Sequence, residues 1–198
     1  MANDNKRDAI IDAAQKRFSH FGVAKTTMNE IADDLSLSKA SLYYYFPDKL
    51  NLFAAVLKKI VEAQRAVEPL SLKEKNLQKA IAKFLEARTE FIISNYFIIE
   101  YLRTMNGSYP PELEQIFSSA RSWEINLIAS ILTNAKQSQG LKLKDPTSTA
   151  ELLMDALEGL RFVNLHKNKS FIPQREQFLN LLKREKELAT IFMNGLSA

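Results

Sequence analysis

The chain has 198 residues, no cysteine and a formal net charge of +4 at pH 7. The lack of cysteine excludes disulfide bonds, Cys-ligated zinc and thiol catalysis. A hydrophobic content of 46% is enough for a core in one large domain or two modest ones. The chain has neither an apolar N-terminal segment nor an apolar run of roughly 20 residues. We therefore expect a cytoplasmic protein without a membrane span.

The first helical pattern runs from Lys6 to Phe21 and places its apolar residues on one face. Gly22 follows it as a C-cap, the position at which many helices end in a left-handed backbone conformation. We expect this helix to cover the two shorter helices that follow and to complete a three-helix core.

Two short helices are predicted between Thr26 and Leu50, and their N-caps are recognisable. Thr27 and Glu30 have the spacing of a capping box, in which each side chain binds the backbone N–H of the other residue. Ser38 is a natural N-cap for the second helix, which is predicted over 39–46. Two such helices around a tight polar turn have the layout of a helix-turn-helix, whose second helix enters the major groove of DNA.

Spaced residues over 14–52 resemble the DNA-binding domain of the TetR family of bacterial transcriptional repressors. One departure is Ser36, where the family usually has a turn glycine. Serine there must either adopt a left-handed conformation at some cost or shift the turn slightly. The residues that carry the resemblance are Ala14, Phe18, Gly22, Thr26, Thr27, Ile31, Ala32, Ser38, Leu42, Tyr43, Phe46, Lys49 and Leu52.

The second short helix is expected to contact base edges through Lys39, Ala40, Ser41 and Tyr44. Ala40 and Ser41 are short enough to let the helix lie deep in the groove, and Ala40 offers an apolar contact to a thymine methyl group. Tyr45 lies on the opposite side of the helix, where we expect it to pack against the core.

Backbone phosphates are the expected partners of the remaining residues of the motif. The charges of residues 1–65 nearly cancel, so the placement of each cation matters more than their total. Lys25 and Thr26 stand at the start of a helix, where a cation, a hydroxyl and free N–H groups can hold a phosphate. The full set of predicted DNA contacts is Lys25, Thr26, Thr27, Ser38, Lys39, Ala40, Ser41, Tyr43, Tyr44 and Lys49.

A long helix over 48–67 follows, and it ends before Pro69 because proline disfavours helical backbone in the preceding residue. In the TetR family the corresponding helix connects the DNA-binding domain with the ligand-binding domain. The resemblance therefore implies a helix-turn-helix domain over 1–50 and a helical effector-binding and dimerisation domain over 51–198.

Beyond Pro69 the chain shows only helical patterns, which predicts an all-α fold with about nine helices. Ser71 and Glu74 have the spacing of a second capping box, which would open the next helix. Around Tyr96 to Met105 apolar residues lie on every side, which predicts a segment that is buried all round. The remaining helices are predicted over 112–138, 147–167 and 173–194.

The last two long helices carry more apolar surface than one core uses, which predicts an oligomer interface. Gly159 inside one of them lowers helix stability by roughly 1 kcal/mol relative to alanine, and a glycine there is expected if two helices approach each other closely at this position. The resemblance implies a four-helix dimer bundle, and hence a homodimer that binds a palindromic operator in double-stranded DNA. The candidate interface residues are Leu153, Leu157, Gly159, Leu160, Phe178, Leu182, Leu188 and Phe192.

The family's effector domain usually encloses a cavity between its central helices. The aromatic residues of those helices suit a small-molecule effector that is largely apolar or aromatic and is oriented by a few polar groups. Aromatic residues at helical spacing also fit an ordinary core, so both interpretations stay open. The candidate ligand-binding residues are Phe84, Arg88, Phe91, Tyr96, Tyr101, Phe117, Trp123, Asn126, Phe162 and His166.

The sequence favours a transcriptional repressor that a small molecule releases from its operator. The alternative is a ligand-independent DNA-binding factor whose C-terminal domain only dimerises or binds another protein. An enzyme is disfavoured, because the two histidines lack zinc-ligand spacing and the chain has no phosphate loop or G-x-S-x-G motif. Asp155 and Glu158 share a helix face, which fits a solvated or salt-bridged surface. No metal site or cofactor is predicted.

Overall fold

The structure, a computed structural model, describes residues 2–67, 69–103, 105, 108–139, 141, 143–167 and 174–197. These residues form helices and no strand, which confirms the predicted all-α fold. Nine of the helices span seven residues or more, and α5 is a single turn of four residues. The helices are α1 (Ala2–Phe21), α2 (Met28–Asp34), α3 (Lys39–Tyr45), α4 (Lys49–Val67), α5 (Pro69–Leu72), α6 (Leu77–Ser94), α7 (Tyr96–Arg103), α8 (Pro111–Gln139), α9 (Pro146–Lys167) and α10 (Arg175–Ser197).

The chain divides into two compact units. The first comprises the residues up to Gln64 together with Ser94–Ser118, and the second comprises Arg65–Ile93 and the residues from Ser119 onward. The predicted boundary between residues 50 and 51 stays a prediction. None of the described helices is both long enough and apolar enough to cross a membrane.

The first unit is built around the three N-terminal helices. Phe18 of α1, Ile31 of α2 and Leu42 of α3 are each 0% exposed, so all three helices contribute to one core. Gly22 ends α1 with φ +82°, and its N–H donates to the carbonyl of Phe18 at 3.1 Å. The predicted C-cap is therefore confirmed.

The caps of α2 and α3 also follow the prediction. The Thr27 Oγ1 accepts from the Glu30 N–H at 3.3 Å, and the Thr27 N–H donates to the Glu30 Oε2 at 2.7 Å, which completes the capping box. The Ser38 Oγ accepts from the Ser41 N–H at 3.1 Å. These caps satisfy N–H groups that lack a partner inside their own helices.

Ser36 adopts the left-handed backbone conformation, one of the two alternatives that the sequence leaves open, with φ +52°. Replacing Ser36 by glycine should raise the free energy of unfolding by about 0.5–1 kcal/mol, because glycine has no Cβ atom that penalises this conformation. Part of the gain is offset by the larger entropy of an unfolded glycine. Urea denaturation of the full chain measures the change.

A matched control for this variant is Ser41→Gly in the middle of α3. Its backbone is helical, so glycine there should lower stability by roughly 0.5–1 kcal/mol. If both variants were destabilised to the same degree, backbone strain at Ser36 would not be a cost that the native fold carries.

Two predictions about the middle of the chain are wrong. The helix after Pro69 does not begin with a Ser71–Glu74 capping box, because α6 begins at Leu77 and the Asn76 Oδ1 accepts from the Lys79 N–H at 2.9 Å. Asparagine caps helices as well as serine does, and Asn76 directly precedes the apolar pattern. The segment around α7 is not buried all round either, since Ile98 and Leu102 are buried whereas Phe97 is 38% exposed.

The second unit has its own core, formed by α6, α8, α9 and α10. Leu153 and Leu157, which are predicted interface residues, are each 0% exposed and belong to this core. Their assignment to a dimer interface is corrected for that reason. Of the other predicted interface residues, Phe178 is 9% exposed, Leu160 is half-buried and Gly159 is exposed. Partly buried side chains that pack against the core are Leu182, Leu188 and Phe192.

Another set of apolar residues is exposed on the last two helices. On α9 it includes Leu152 at 60% and Phe162 at 62% exposure, and on α10 it includes Ile191 at 65%. Gly159 lies between the two α9 residues on the same side, because residues that are three and seven positions apart share a helix face. We call Leu152, Gly159, Phe162, Val163, Leu179 and Ile191 the exposed apolar face.

Candidate DNA-binding surface

The second helix of the predicted helix-turn-helix, α3, is anchored on one side and exposed on the other. Leu42 is 0% and Phe46 is 3% exposed, which fixes the helix on the core of the first unit. Lys39 and Ala40 are exposed, and Tyr44 is 77% exposed. A tyrosine that is exposed to this extent, on a helix that is otherwise well anchored, leaves a large ring available for a partner.

Contacts along α3 order its outward side chains. The Lys39 Nζ lies 5.8 Å from the ring centroid of Tyr43, one helical turn further along the chain. The ring of Tyr44 meets that of Tyr45 edge-on at 5.3 Å between centroids. Tyr45 itself is half-buried, whereas Tyr43 is 39% exposed. The structure therefore brings the predicted base contacts Lys39, Ala40 and Tyr44 together on one solvent-facing side.

Ion pairs connect α1 with α2. The Arg17 guanidinium donates to both oxygens of Asp34, with the Nη2–Oδ1 distance at 2.8 Å, and it lies 3.5 Å from Glu30. The hydrogen bond from Arg17 holds the pKa of Asp34 below its usual value. Hydrogen bonds from the backbone and the side chain of Thr27 hold the pKa of Glu30 below its usual value. Arg17 is thus engaged within the protein.

The predicted phosphate contacts before α2 differ in their accessibility. Lys25 and Thr27 are exposed. Thr26, in contrast, is 1% exposed, and its hydroxyl donates to the carbonyl of Gly22 at 2.9 Å. The Thr26 side chain therefore ties the loop to the end of α1, and in this arrangement it does not reach a phosphate. Its predicted DNA contact is corrected on this physical ground.

Lys49 also makes contacts that the sequence does not reveal. Its Nζ donates to the carbonyl oxygens of Val23 at 3.0 Å, Ala24 at 3.3 Å and Thr26 at 3.1 Å. An ammonium group has three N–H donors, so these carbonyls engage all of them. Lys49 fastens the loop before α2 to the start of α4, and a phosphate contact would require it to release one of these bonds.

Replacing Lys49 by methionine should lower the free energy of unfolding by about 2 kcal/mol, since three carbonyls lose a charged donor. Urea denaturation measures this effect. The exposed Lys25→Met variant is the control, and it should leave stability within about 0.5 kcal/mol of the native value. Equal stability of both variants would mean that Lys49 acts only through a partner such as DNA.

The predicted ligand-binding residues are divided between the two units. Tyr96, Tyr101 and Phe117 belong to the first unit, where Tyr101 packs edge-on against Phe53 at 5.0 Å between ring centroids. Phe84 is 0% exposed in the core of the second unit. The structure does not describe the side chain of His166.

The other candidates of the second unit differ in their contacts and exposure. The Arg88 Nε donates to the Glu124 Oε1 at 2.8 Å, and Trp123 packs against the core. Asn126 is exposed, Phe91 is half-buried and Phe162 lies on the exposed apolar face. Two surface grooves of this unit, of about 320 and 600 Å³, are lined by other residues.

Carboxylates that sequence reasoning weighed for catalysis serve as ion-pair partners. Arg121 bridges Asp155 and Glu158, with its Nη2 at 2.6 Å from the Asp155 Oδ1. This is the salt-bridged helix face that the sequence favours. The predicted interface residues do not include Leu152, Phe162, Val163, Leu179 or Ile191 of the exposed apolar face, although the helical phase of these residues relative to the buried ones could have revealed them.

Comparison with known proteins gives a consistent result for the whole chain. The family described as bacterial regulatory proteins, tetR family, matches residues 10–56, which include α2 and α3. The HTH-type transcriptional regulator RutR of Escherichia coli K12 is 44% identical over 57 residues, which cover 29% of this chain and only 27% of that relative. The HTH-type transcriptional repressor BepR of Brucella suis is 25% identical over 177 residues, which cover 83% of each protein.

A solved structure extends the similarity to almost every residue. The crystal structure of a transcriptional regulator from Cytophaga hutchinsonii is 30% identical to this chain, with a TM-score of 0.85. The alignment covers 98% of this chain and 99% of that one. The relatives named here are transcriptional regulators and not enzymes.

Proposed function

The chain belongs to the TetR family of bacterial transcriptional regulators, and from this premise we propose that it is a repressor that binds a palindromic operator as a homodimer. In this proposal α3 enters the major groove of the operator, and the protein acts in the cytoplasm. The observation that carries it is the exposed side of α3, where Lys39, Ala40 and the 77% exposed Tyr44 stand on a helix anchored by Leu42.

Dimerisation is supported by the exposed apolar face. Leu152, Phe162 and Ile191 are each at least 60% exposed, and large apolar side chains that face water favour association. Among the described residues, no side chain and no backbone outside its own helix lies within 4 Å of a Cβ atom built on Gly159, its two chain neighbours left aside, so the helix surface there is open to a second copy. A two-fold dimer would present two α3 helices to two operator half-sites.

An effector would act through α4, which runs from the helix-turn-helix into the second unit. We propose that a small, largely apolar or aromatic molecule binds in the C-terminal part, shifts α4 and releases the operator. It must bind the two states with different affinities, or it shifts nothing. Similar folds support the idea of an effector: one regulator, from Saccharomonospora viridis, was solved in complex with choline, and another is named a flavonoid-responsive regulator.

The second candidate is a DNA-binding factor that needs no ligand. Phe84 and Trp123, which were candidate pocket residues, pack in or against the apolar core instead of lining an open site. A C-terminal part with this packing would suffice for dimerisation alone. A small molecule that lowers operator affinity would decide against this candidate.

The test of DNA binding is fluorescence anisotropy with labelled DNA from immediately upstream of the protein's own gene, against scrambled DNA at the same salt concentration. The salt must match, because phosphate contacts alone give salt-dependent binding without sequence preference. We expect binding to the upstream DNA to be roughly a thousandfold tighter. Equal weak binding to both, followed by a failed unbiased site selection, would refute the proposal.

A further inference from the structure

The outward side of α3 has a restricted chemistry. The helix reads Lys-Ala-Ser-Leu-Tyr-Tyr-Tyr over 39–45, so it contains no arginine, asparagine, glutamine, aspartate or glutamate. In the major groove, asparagine and glutamine are the side chains that bind adenine with two hydrogen bonds, and carboxylates accept from cytosine. α3 therefore lacks the amide side chains that bind adenine with two hydrogen bonds and the carboxylates that accept from cytosine.

One cation is available on this helix. Lys39 is the first residue of α3 and is exposed, and the N-terminal residues of a recognition helix are those that contact base edges. Its Nζ lies 5.8 Å from the Tyr43 ring centroid, which keeps the ammonium on the exposed side of the helix. Lysine in the major groove donates to the O6 and N7 atoms of guanine.

An apolar strip runs beside this cation. Ala40 and Tyr44 are four positions apart and thus lie on one face. Both are exposed, and the edge-on contact of Tyr44 with the half-buried Tyr45 restrains the direction of its ring. Thymine is the base that presents a methyl group in the major groove, and it attracts small apolar side chains and rings.

Given the proposed DNA-binding function, on which this inference rests, we infer that each operator half-site carries a guanine bound by Lys39 and a thymine whose C5-methyl group packs on Ala40 and Tyr44. Both bases lie within the few base pairs that one recognition helix reaches. The specificity of the protein then comes from one charged contact and one apolar contact, and not from an adenine-binding amide.

The test begins with an unbiased selection of operator DNA by the full-length protein. Each guanine of the selected half-site is then replaced by 7-deazaguanine, which lacks the N7 acceptor, and each thymine by uracil, which lacks the methyl group. The native protein should lose roughly fivefold or more in affinity at one guanine and about fourfold at one thymine.

Matched variants assign each effect to its side chain. Lys39→Met should abolish the sensitivity to 7-deazaguanine, whereas Lys39→Arg should retain it, because arginine donates to the same guanine atoms. Tyr44→Ala should abolish the sensitivity to uracil, and Tyr44→Phe should retain it, because the ring remains. Circular dichroism checks that all four variants stay folded.

The outcomes separate this inference from the function on which it rests. If 7-deazaguanine still weakens binding by Lys39→Met, and uracil still weakens binding by Tyr44→Ala, the inference is overturned and the DNA-binding function stays intact. A selected half-site at which no guanine is sensitive to 7-deazaguanine would overturn it as well. A selection that returns no DNA sequence would overturn both.

Discussion

Replacing Glu185 by alanine is expected to lower the free energy of unfolding by about 3–5 kcal/mol. Glu185 of α10 is 0% exposed, and its Oε1 accepts from the Nε and Nη2 of Arg161 on α9 at 3.1 and 2.8 Å. Burial lowers the pKa of Arg161, and the nearby Arg88 charge acts in the same direction. The variant would leave a buried guanidinium without its carboxylate, which is why the cost is large. Urea denaturation of the full chain measures it.

A double replacement shows whether the loss comes from the unpaired charge. In Arg161→Met/Glu185→Leu both charges are removed and the apolar contacts remain, so stability should return to the native value or exceed it. The surface pair between Arg175 and Glu90 is the control, because both side chains are more than half exposed although their atoms approach to 2.8 Å. Glu90→Ala should cost less than about 1 kcal/mol. A cost for Glu185→Ala as small as this would show that the buried pair does not hold α9 against α10.

The parts of the fold that could be predicted depend on local chemistry. The capping box at Thr27 and Glu30, the N-cap at Ser38, the C-cap at Gly22 and the strained Ser36 are each set by residues within a few positions of one another. Local hydrogen bonds and backbone sterics therefore suffice to define them. The helix-turn-helix and its exposed side follow from the same short-range patterns.

The parts that could not be predicted depend on contacts between distant residues. Lys49 binds carbonyls that are 23 to 26 residues away in sequence, and no spacing rule relates it to them. Glu185 stands in a strongly charged stretch, which is typical of a solvated surface. Its helical phase is the one signal, since it is separated from the buried Phe178 by seven residues and from Ala189 by four.

Two of the predicted dimer-interface residues, Leu153 and Leu157, lie in the core for a related reason. α9 is apolar on more than one face, and its hydrophobic pattern alone does not say which face meets its own core. Packing decides this, since Leu153 and Leu157 are buried whereas Leu152 and Val163 are exposed. The existence of a surplus apolar surface was predictable, whereas its position follows by helical phase only once the buried residues of α9 are known.

Replacing Phe162 by glutamate is expected to dissociate the proposed homodimer. Phe162 is 62% exposed, so the monomer fold should tolerate the change, but by two-fold symmetry a dimer would bury two uncompensated carboxylates. A penalty of this kind corresponds to a roughly thousandfold weaker dimer. Sedimentation velocity over a range of concentrations measures it, and operator affinity should fall in parallel because one α3 reaches one half-site.

Two further variants distinguish a specific interface from a general effect of charge. Leu72→Glu places the same carboxylate on an exposed leucine of α5, outside the exposed apolar face, and it should leave the dimer intact. Gly159→Ala adds a methyl group that meets no described side chain within 4 Å, its chain neighbours left aside, so by helix propensity it should stabilise the isolated chain by up to about 1 kcal/mol. If two helices meet at Gly159, that same methyl group separates them and weakens the dimer. If Gly159→Ala raises stability and weakens the dimer, the interface lies at this glycine. A dimer that is unchanged by both Gly159→Ala and Phe162→Glu would place the interface elsewhere on the chain.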